Sequence, residues 1–321
     1  MDAPLVVGSV VKRFGDLVAV DELSFEVRRG EIFGFLGPNG AGKTTTLRMI
    51  LGITRPDRGD VRFEGSDRLE RARVGYLPEE RGLYEDATLL DTLEYLGTLR
   101  GMPVAAARRA GRAWLERLEL GGQLKAKLNT LSKGNQQKVQ FAGAVLHEPA
   151  LAVLDEPFAG LDPLNQERFM ELIREQRDRG AAVLLSAHHL DLVERLCDRF
   201  LLIARGRALL AGTLAEVRRA AGGAGEVLSL ELHPRDGLAP GEIVRRLLAR
   251  APDAAADVEA HAGGATRADV RMPEGADVSP LLAEAALLGA VRRVTMRPLR
   301  LHEIYVRAVA GGAPTGGGDG A

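Results

Sequence analysis

The sequence predicts an α/β fold organised around a phosphate-binding loop, followed by a small C-terminal α+β domain. Three observations predict it. A glycine-rich turn lies between an apolar strand and a helix, a second short apolar strand ends in two acids, and the composition changes at Ala221-Gly222-Gly223-Ala224-Gly225. The turn is Gly37-Pro38-Asn39-Gly40-Ala41-Gly42-Lys43-Thr44-Thr45, preceded by Ile32 to Leu36 and followed by Leu47-Arg48-Met49-Ile50-Leu51. Glycines at these positions let the backbone wrap a polyphosphate with its N–H groups inward, and the helix start adds the positive end of its dipole. Lys43 is placed to reach the terminal phosphates and the Thr44 hydroxyl to ligate Mg²⁺. A chance match in a chain of this length arises roughly one time in a hundred at average residue usage. The flanking strand and helix lower that further and select nucleotide binding over an accidental glycine turn.

The second strand is Leu151-Ala152-Val153-Leu154, after a break at Pro149, and it ends in Asp155-Glu156. A continuous apolar run of this length reads as a buried parallel strand. At its C-terminal end Asp155 can hold Mg²⁺, directly or through water, and Glu156 can polarise an attacking water. Read alone, the pair could be a polar strand end; with the glycine loop upstream it is a candidate metal and base pair.

A third stretch carries a family resemblance. Leu131-Ser132-Lys133-Gly134-Asn135-Gln136-Gln137, taken with the loop and the acid pair, resembles the signature of the ATP-binding cassette (ABC) ATPases, usually Leu-Ser-Gly-Gly-Gln. Lys133 stands where that family has Gly and Asn135 where it has Gln; Ser132 and Gly134 match. The resemblance implies that Ser132, Lys133, Gly134 and Asn135 face the γ-phosphate held by another subunit. A serine hydroxyl and a glycine N–H at a helix start suit that task. Ser132 also reads as a plain N-cap for the helix behind it, and both roles are compatible.

Further matches follow in the family's order. Phe158-Ala159-Gly160-Leu161-Asp162 resembles the loop after the catalytic glutamate, which implies that Asp162 contacts the partner subunit. Ser186-Ala187-His188 ends the apolar run from Ala181 to Leu185, and the resemblance makes His188, rather than the adjacent His189, the switch histidine that bonds the γ-phosphate and attacking water. Phe14, in Lys12-Arg13-Phe14-Gly15, resembles the aromatic that stacks on adenine; without the resemblance it reads as a core residue. Gly75-Tyr76-Leu77-Pro78-Glu79 matches the segment in which most of the family carries a glutamine touching Mg²⁺ and the transporter. Here Glu79 stands in that place. It can ligate the ion through oxygen or be a solvated loop acid beside Glu80 and Arg81.

The resemblance implies a RecA-like core, an antiparallel β subdomain and a helical subdomain within residues 1–220, with the helical subdomain about 83–147. Val6 to Val27 reads as strands, with Leu23, Phe25 and Val27 alternating. Thr88 and Asp91 form a capping box before Leu93, Leu96 and Leu99. Pro103 opens a helix carrying Trp114, Leu115 and Leu118. Pro163 to Arg179 reads as a helix, Phe200 to Ala204 as a late strand and Thr213 to Ala220 as a closing helix. Residues 221–225 read as a linker. In 226–310, Val227 to Leu232 and Val291 to Met296 read as strands, and Ile243/Leu247, Leu281/Leu288 and Leu301/Ile304/Tyr305 as helices. This domain carries no catalytic constellation. It resembles the accessory domain of exporter ATPases whose membrane subunit is a separate polypeptide, and reads equally as a stability cap or dimer contact. Residues 311–321 read as a disordered tail.

Composition agrees. The chain has 321 residues, 43 Lys+Arg and 44 Asp+Glu, so no basic excess points to nucleic acid. Cys197 is the single cysteine, which fits a reducing compartment. Met1-Asp2-Ala3-Pro4 lacks the order of a secretory leader, and no apolar run approaches the roughly 18 residues of a membrane helix. The expectation is a chain soluble on its own, cytoplasmic and peripheral on the inner face of the cell membrane. The resemblance implies ATP and Mg²⁺ as cofactors, ATP hydrolysis, an integral membrane permease as partner, and a homodimer or heterodimer of ATPase subunits. The Glu79, Lys133 and Asn135 variants look like cassettes of sodium- or drug-exporting systems. The alternative is a soluble ABC ATPase acting on nucleic acid or the ribosome, which usually needs a second cassette or a long coiled coil. A third, weaker reading is an unrelated P-loop kinase or GTPase: the Asn-Lys-x-Asp expected for guanine is absent, and a kinase would not need Ser132, Glu156 and His188 together.

Overall fold

A computed structural model describes residues 3–80, 82, 86–187, 190–220, 226–235, 238–252, 254–260, 264–273 and 275–310. The expected linker at 221–225, the tail at 311–321 and His188 lie outside the described residues. The chain divides into two compact units, Met1–Thr213 and Leu214–Ala321.

The first unit opens with β1 (Leu5–Phe14) and β2 (Leu17–Val27), then β3 (Ile32–Leu36), α1 (Lys43–Ile50), β4 (Arg58–Phe63) and β5 (Val74–Leu77). Three helices follow, α2 (Leu89–Leu99), α3 (Val104–Arg117) and α4 (Lys133–Val145). The rest is β6 (Leu151–Asp155), α5 (Pro163–Asp178), β7 (Ala182–Ala187), α6 (Leu190–Leu196), β8 (Arg199–Ala204) and β9 (Arg207–Gly212). The strands make two sheets. One is antiparallel, in the order β2-β1-β4; the other runs β5-β6-β7-β3-β8-β9, parallel except for the antiparallel edge pair β8–β9.

Helices on both sides of a parallel sheet require strands that are apolar on both faces, and every residue of β3, β6 and β7 is buried. Each Leu- or Phe-sized side chain so buried contributes about 1.5–3 kcal/mol. The inner faces of the two sheets share one core with α1. Val7, Val20 and Leu23 meet Phe33, Phe35, Leu47 and Ile50 there, and Phe25 stacks on both Phe33 and Phe35 at 5.5 Å between ring centroids.

The helical subdomain has the expected local signals. Thr88 Oγ1 accepts from Asp91 N at 3.2 Å and donates to Asp91 Oδ2 at 2.7 Å, capping α2. Pro103 precedes α3, whose buried Ala107, Gly111, Trp114 and Leu115 recur at helical spacing. Trp114 meets Phe141 of α4 edge-on at 5.9 Å, Phe141 meets Phe169 of α5 at 4.6 Å, and Phe169 meets Phe158 at 6.3 Å. This aromatic chain joins the helical subdomain to the segment just after Glu156.

The second unit holds α7 (Leu214–Ala220), β10 (Glu226–Pro234), α8 (Pro240–Leu248), β11 (Ala255–Ala260), β12 (Thr266–Met272), α9 (Ser279–Leu288), β13 (Gly289–Pro298) and α10 (Leu301–Ala310). The expected boundary at Ala220 differs from this division by α7. That helix belongs with the second unit, where Arg218 Nε donates to Leu299 O at 2.8 Å. The four strands form an antiparallel sheet in the order β11-β12-β10-β13. With α8 and α9 as crossovers this is the split β-α-β arrangement. Leu228, Leu230 and Leu232 on one face of β10 pack with Ala268 and Val270 against Ile243, Leu247, Leu281, Ala285 and Leu288.

Candidate nucleotide-binding site

The glycine loop leaves the C-terminal end of β3 and enters α1. Gly42, the residue before the helix, has φ +103°, and a Cβ on it would stand 2.5 Å from Ala19 O. A Cβ on Gly37 would meet Ile203 O at the same distance. Both positions therefore demand glycine. The loop is braced by Ala41 N donating to Pro38 O at 3.1 Å and by Gly206 N, in the β8–β9 turn, donating to Ala41 O at 3.0 Å. Pro38, Asn39, Gly40 and Thr44 are exposed at the mouth, Thr45 is half-buried and Lys43 is buried.

Lys43 Nζ donates to Gly37 O at 2.6 Å and to Pro38 O at 3.2 Å. Burial holds its pKa below the usual lysine value, while Glu156, Asp155 and Glu79 push it back up. Asp155, buried at the end of β6, has its carboxyl raised above the ordinary aspartate value. Burial is the main cause; the Ser186 hydroxyl opposes it, and Glu79 and Glu156 add to it. The structure thus brings Lys43, Glu79, Asp155 and Glu156 into one electrostatic cluster. Glu156 is 6 % exposed and has φ +49°, an uncommon backbone conformation for a residue with a side chain. Its N–H donates to Ser186 O at 3.1 Å, which fixes the turn that aims it. Glu79 is exposed, on the segment just after β5.

Ser132 caps α4, its Oγ accepting from Asn135 N at 3.3 Å. Ser132 and Lys133 are exposed, and Gly134 and Asn135 half-buried. A Cβ on Gly134 would lie 3.3 Å from Gly160 O, so the signature turn and the loop after Glu156 run side by side. Asp162 caps α5, accepting from Asn165 N at 2.9 Å and from Asn165 Nδ2 at 2.6 Å. These bonds hold its carboxyl below the ordinary aspartate value. Phe14 is 53 % exposed at the end of β1 with Lys12 Nζ 5.6 Å from its ring centroid, so it is not a core residue.

Sequence reasoning missed three residues that organise this site. Ser186 bonds Asp155, and Gln137 and Gln140 of α4 bond the backbone of the Glu156 and Glu79 segments. A signal was present for the first: Ser186 is the polar residue in an otherwise apolar, fully buried strand.

A glycine loop between β3 and α1, an acid pair at the end of β6, the second strand beyond β3, and a capped helix start beside the loop after Glu156 are the features of a phosphate-loop nucleoside triphosphatase. Residues 20–159 match the ABC transporter domain family. An uncharacterised ABC transporter ATP-binding protein of Methanocaldococcus jannaschii is 44% identical over 219 residues, which are 68% of this chain and 81% of that one. A second uncharacterised relative, from Alkalihalophilus pseudofirmus, is 36% identical over 85% of this chain and 98% of its own. The Nod factor export ATP-binding protein I of Burkholderia lata is 40% identical over 65% of this chain and 71% of its own. A solved ATP binding subunit of an ABC transporter superposes with a TM-score of 0.63 at 37% identity, covering 67% of this chain and 92% of the other. The chain belongs to the ABC transporter ATP-binding proteins. It is an ATP-binding subunit that hydrolyses ATP to energise transport.

Among the described residues no helix is long and apolar enough to cross a membrane. No three His, Cys, Asp or Glu among them are grouped to hold a metal unaided.

Proposed function

We propose that two copies of the chain, or this chain and a paralogue, close head to tail around ATP and drive a separate membrane permease in the export direction. One observation carries the reading. The Lys43 loop, Asp155 and Glu156 converge at the C-terminal ends of β3 and β6, while Ser132 and Gly134 stand at a separate helix start, that of α4, alongside the loop after Glu156. A helix start of this kind is suited to a phosphate held by another subunit. Gly37 to Thr45 cradle the phosphates through backbone N–H groups, Lys43 exchanges its bonds to Gly37 O and Pro38 O for phosphate oxygens, and exposed Phe14 stacks on the base.

The residues fit Mg²⁺. Glu156, Asp155 and Glu79 all act electrostatically on Lys43, three negative charges to one positive, so a divalent cation would balance them. A threonine hydroxyl and one or two carboxylates, completed by phosphates and water, are the donors this ion prefers. Thr44, Asp155 and Glu79 would hold it, and it would supply charge neutralisation on the phosphates. Glu156 takes the proton from the attacking water, and His188 takes the switch role that the resemblance gives it. Asp162 faces the partner subunit. The cytoplasmic, membrane-peripheral location follows from the permease partner. The relative named for Nod factor export supports the direction. The accessory domain is assigned to 226–310.

Glu156→Gln tests this. The amide cannot accept the proton, so turnover should fall on the order of 10²–10⁴-fold while ATP binding survives. An ATP-dependent dimer should then accumulate in light scattering. A variant that turns over normally, or stays monomeric with ATP, would count against the base or the head-to-tail arrangement respectively.

A further inference from the structure

Two glutamines of α4 reach out of their helix to the two acid-bearing segments. Gln137 and Gln140 are 1 % and 4 % exposed. They stand three residues apart and so share one helix face. Gln137 Nε2 donates to Pro157 O at 3.1 Å, the carbonyl immediately after Glu156. Gln140 Nε2 donates to Pro78 O at 3.1 Å and Glu80 O at 3.4 Å, the carbonyls on either side of Glu79. Two carbonyl acceptors fix which end of the Gln140 amide points at them, because its own oxygen there would face oxygens. That oxygen is buried and has no hydrogen-bond partner among the described residues.

This arrangement is poor for stability alone. A buried amide with an unpaired oxygen carries a desolvation penalty that an apolar side chain of the same length would not. What the glutamine supplies is a directional tether. The helix that carries both tethers is the one that begins at Ser132 and Gly134, and a helix of this length moves as a rod rather than bending residue by residue. Displacement at its N-terminus must therefore be felt at Pro157 and at Pro78–Glu80.

We propose that Gln140 is a positioning residue for Glu79 and Gln137 one for Glu156, together tying both acids to the helix that bears the signature turn. The proposal rests on the reading of Glu156 as base and Glu79 as Mg²⁺ ligand. It adds that the two acids are set by one helix rather than by their own loops.

Gln140→Met and Gln137→Met test it, because Met keeps the length and volume and removes the donor. With the metal-free protein, amide exchange at Glu79 and Glu80 should quicken in Gln140→Met, and exchange just after Glu156 should quicken in Gln137→Met, at unchanged Tm. With Mg²⁺ and ATP, Gln140→Met should raise the Mg²⁺ concentration for half-maximal hydrolysis on the order of tenfold. Gln137→Met should lower kcat by a similar factor and leave KM unchanged. Gln140→Glu gives a second reading: protonated it still donates, ionised it cannot. Its rate relative to wild type should fall as pH rises. Unchanged exchange and unchanged Mg²⁺ requirement would overturn the proposal, as would a loss of rate matched by an equal loss of Tm and ATP affinity. Should Glu156→Gln abolish turnover while both Met variants behave as wild type, the tethering alone fails. Should Glu156→Gln keep turnover, the base assignment fails instead.

Discussion

Asp155 and Ser186 stand directly opposite each other in the β6–β7 register, and Ser186 Oγ donates a hydrogen bond to Asp155 Oδ1. The same serine accepts Glu156 N through its carbonyl. One residue on the neighbouring strand therefore holds both acids. Burial pushes the Asp155 carboxyl up, and the Ser186 hydroxyl pulls it part of the way back.

Removing that hydroxyl should let the Asp155 pKa climb further. On the proposed role Asp155 must be ionised to hold a cation, so activity should be lost as pH falls through its pKa. Ser186→Ala should move the acid limb of kcat to higher pH, and Ser186→Thr should leave it in place. An acid limb that does not move would show that the bond has no part in keeping Asp155 charged.

Lys43→Ala should weaken ATP binding on the order of a hundredfold or more, since a buried point charge on the phosphates is lost. The fold should persist, because the side chain bonds two loop carbonyls and anchors no core residue. Lys43→Arg should not rescue, as the planar guanidinium cannot occupy the space of a compact ammonium. Calorimetric titration with ATP measures both, and wild-type affinity in Lys43→Ala would sink the assignment.

His147 sets an acid limit on stability. Its Nε2 lies 3.3 Å from Val74 O, and its Nδ1 is buried without a hydrogen-bond partner among the described residues. Burial first, then nearby Arg100, lowers its pKa from 6.5 to about 4. Between those values the unfolded chain binds the proton and the folded chain does not. Stability is therefore intact above pH 6.5 and lost as pH falls toward 4, by on the order of 2 kcal/mol after allowance for partial exposure. His147→Leu should flatten the pH dependence of urea unfolding in that window. An unchanged slope would assign the acid sensitivity to other groups.

A chain ending at Thr213 should fold and bind ATP within a few-fold of the full chain, because Lys43, Ser132, Gly134, Asp155 and Glu156 all lie in the first unit. Loss of ATP binding from a folded truncated chain would place part of the nucleotide site beyond Thr213.

The elements read most directly from the sequence were those with a single strong signal. β3, β6 and β7 are continuous apolar runs, and α2 and α3 carry a cap or a proline at the start. β4 and β12 escaped because charged residues fill their exposed faces: Arg58, Asp60 and Arg62 in one, Arg267, Asp269 and Arg271 in the other. β9 and β11 are short and rich in alanine, which favours strands weakly. Of the candidate site, the proximity of Lys43, Asp155 and Glu156 was legible, because motif spacing puts them at the ends of β3 and β6. Gln137 and Gln140 were not, because an i, i+3 pair of amides on a helix looks like a polar surface until its burial is known. α7 was read as closing the first unit because helix periodicity says nothing about which core a helix joins.

β3 lies between β7 and β8 in the six-stranded sheet. The strand that launches the phosphate loop is made early, and both of its neighbours come from the far end of the same unit. At about 5–20 residues per second, the ribosome takes roughly 7–30 s to pass from Leu36 to Ala182. Until then Ile32 to Leu36, apolar on every side, has no lateral partner. The ability to bind nucleotide is therefore acquired late in translation, and premature termination anywhere before β7 leaves an exposed sticky strand for chaperones or proteases to find.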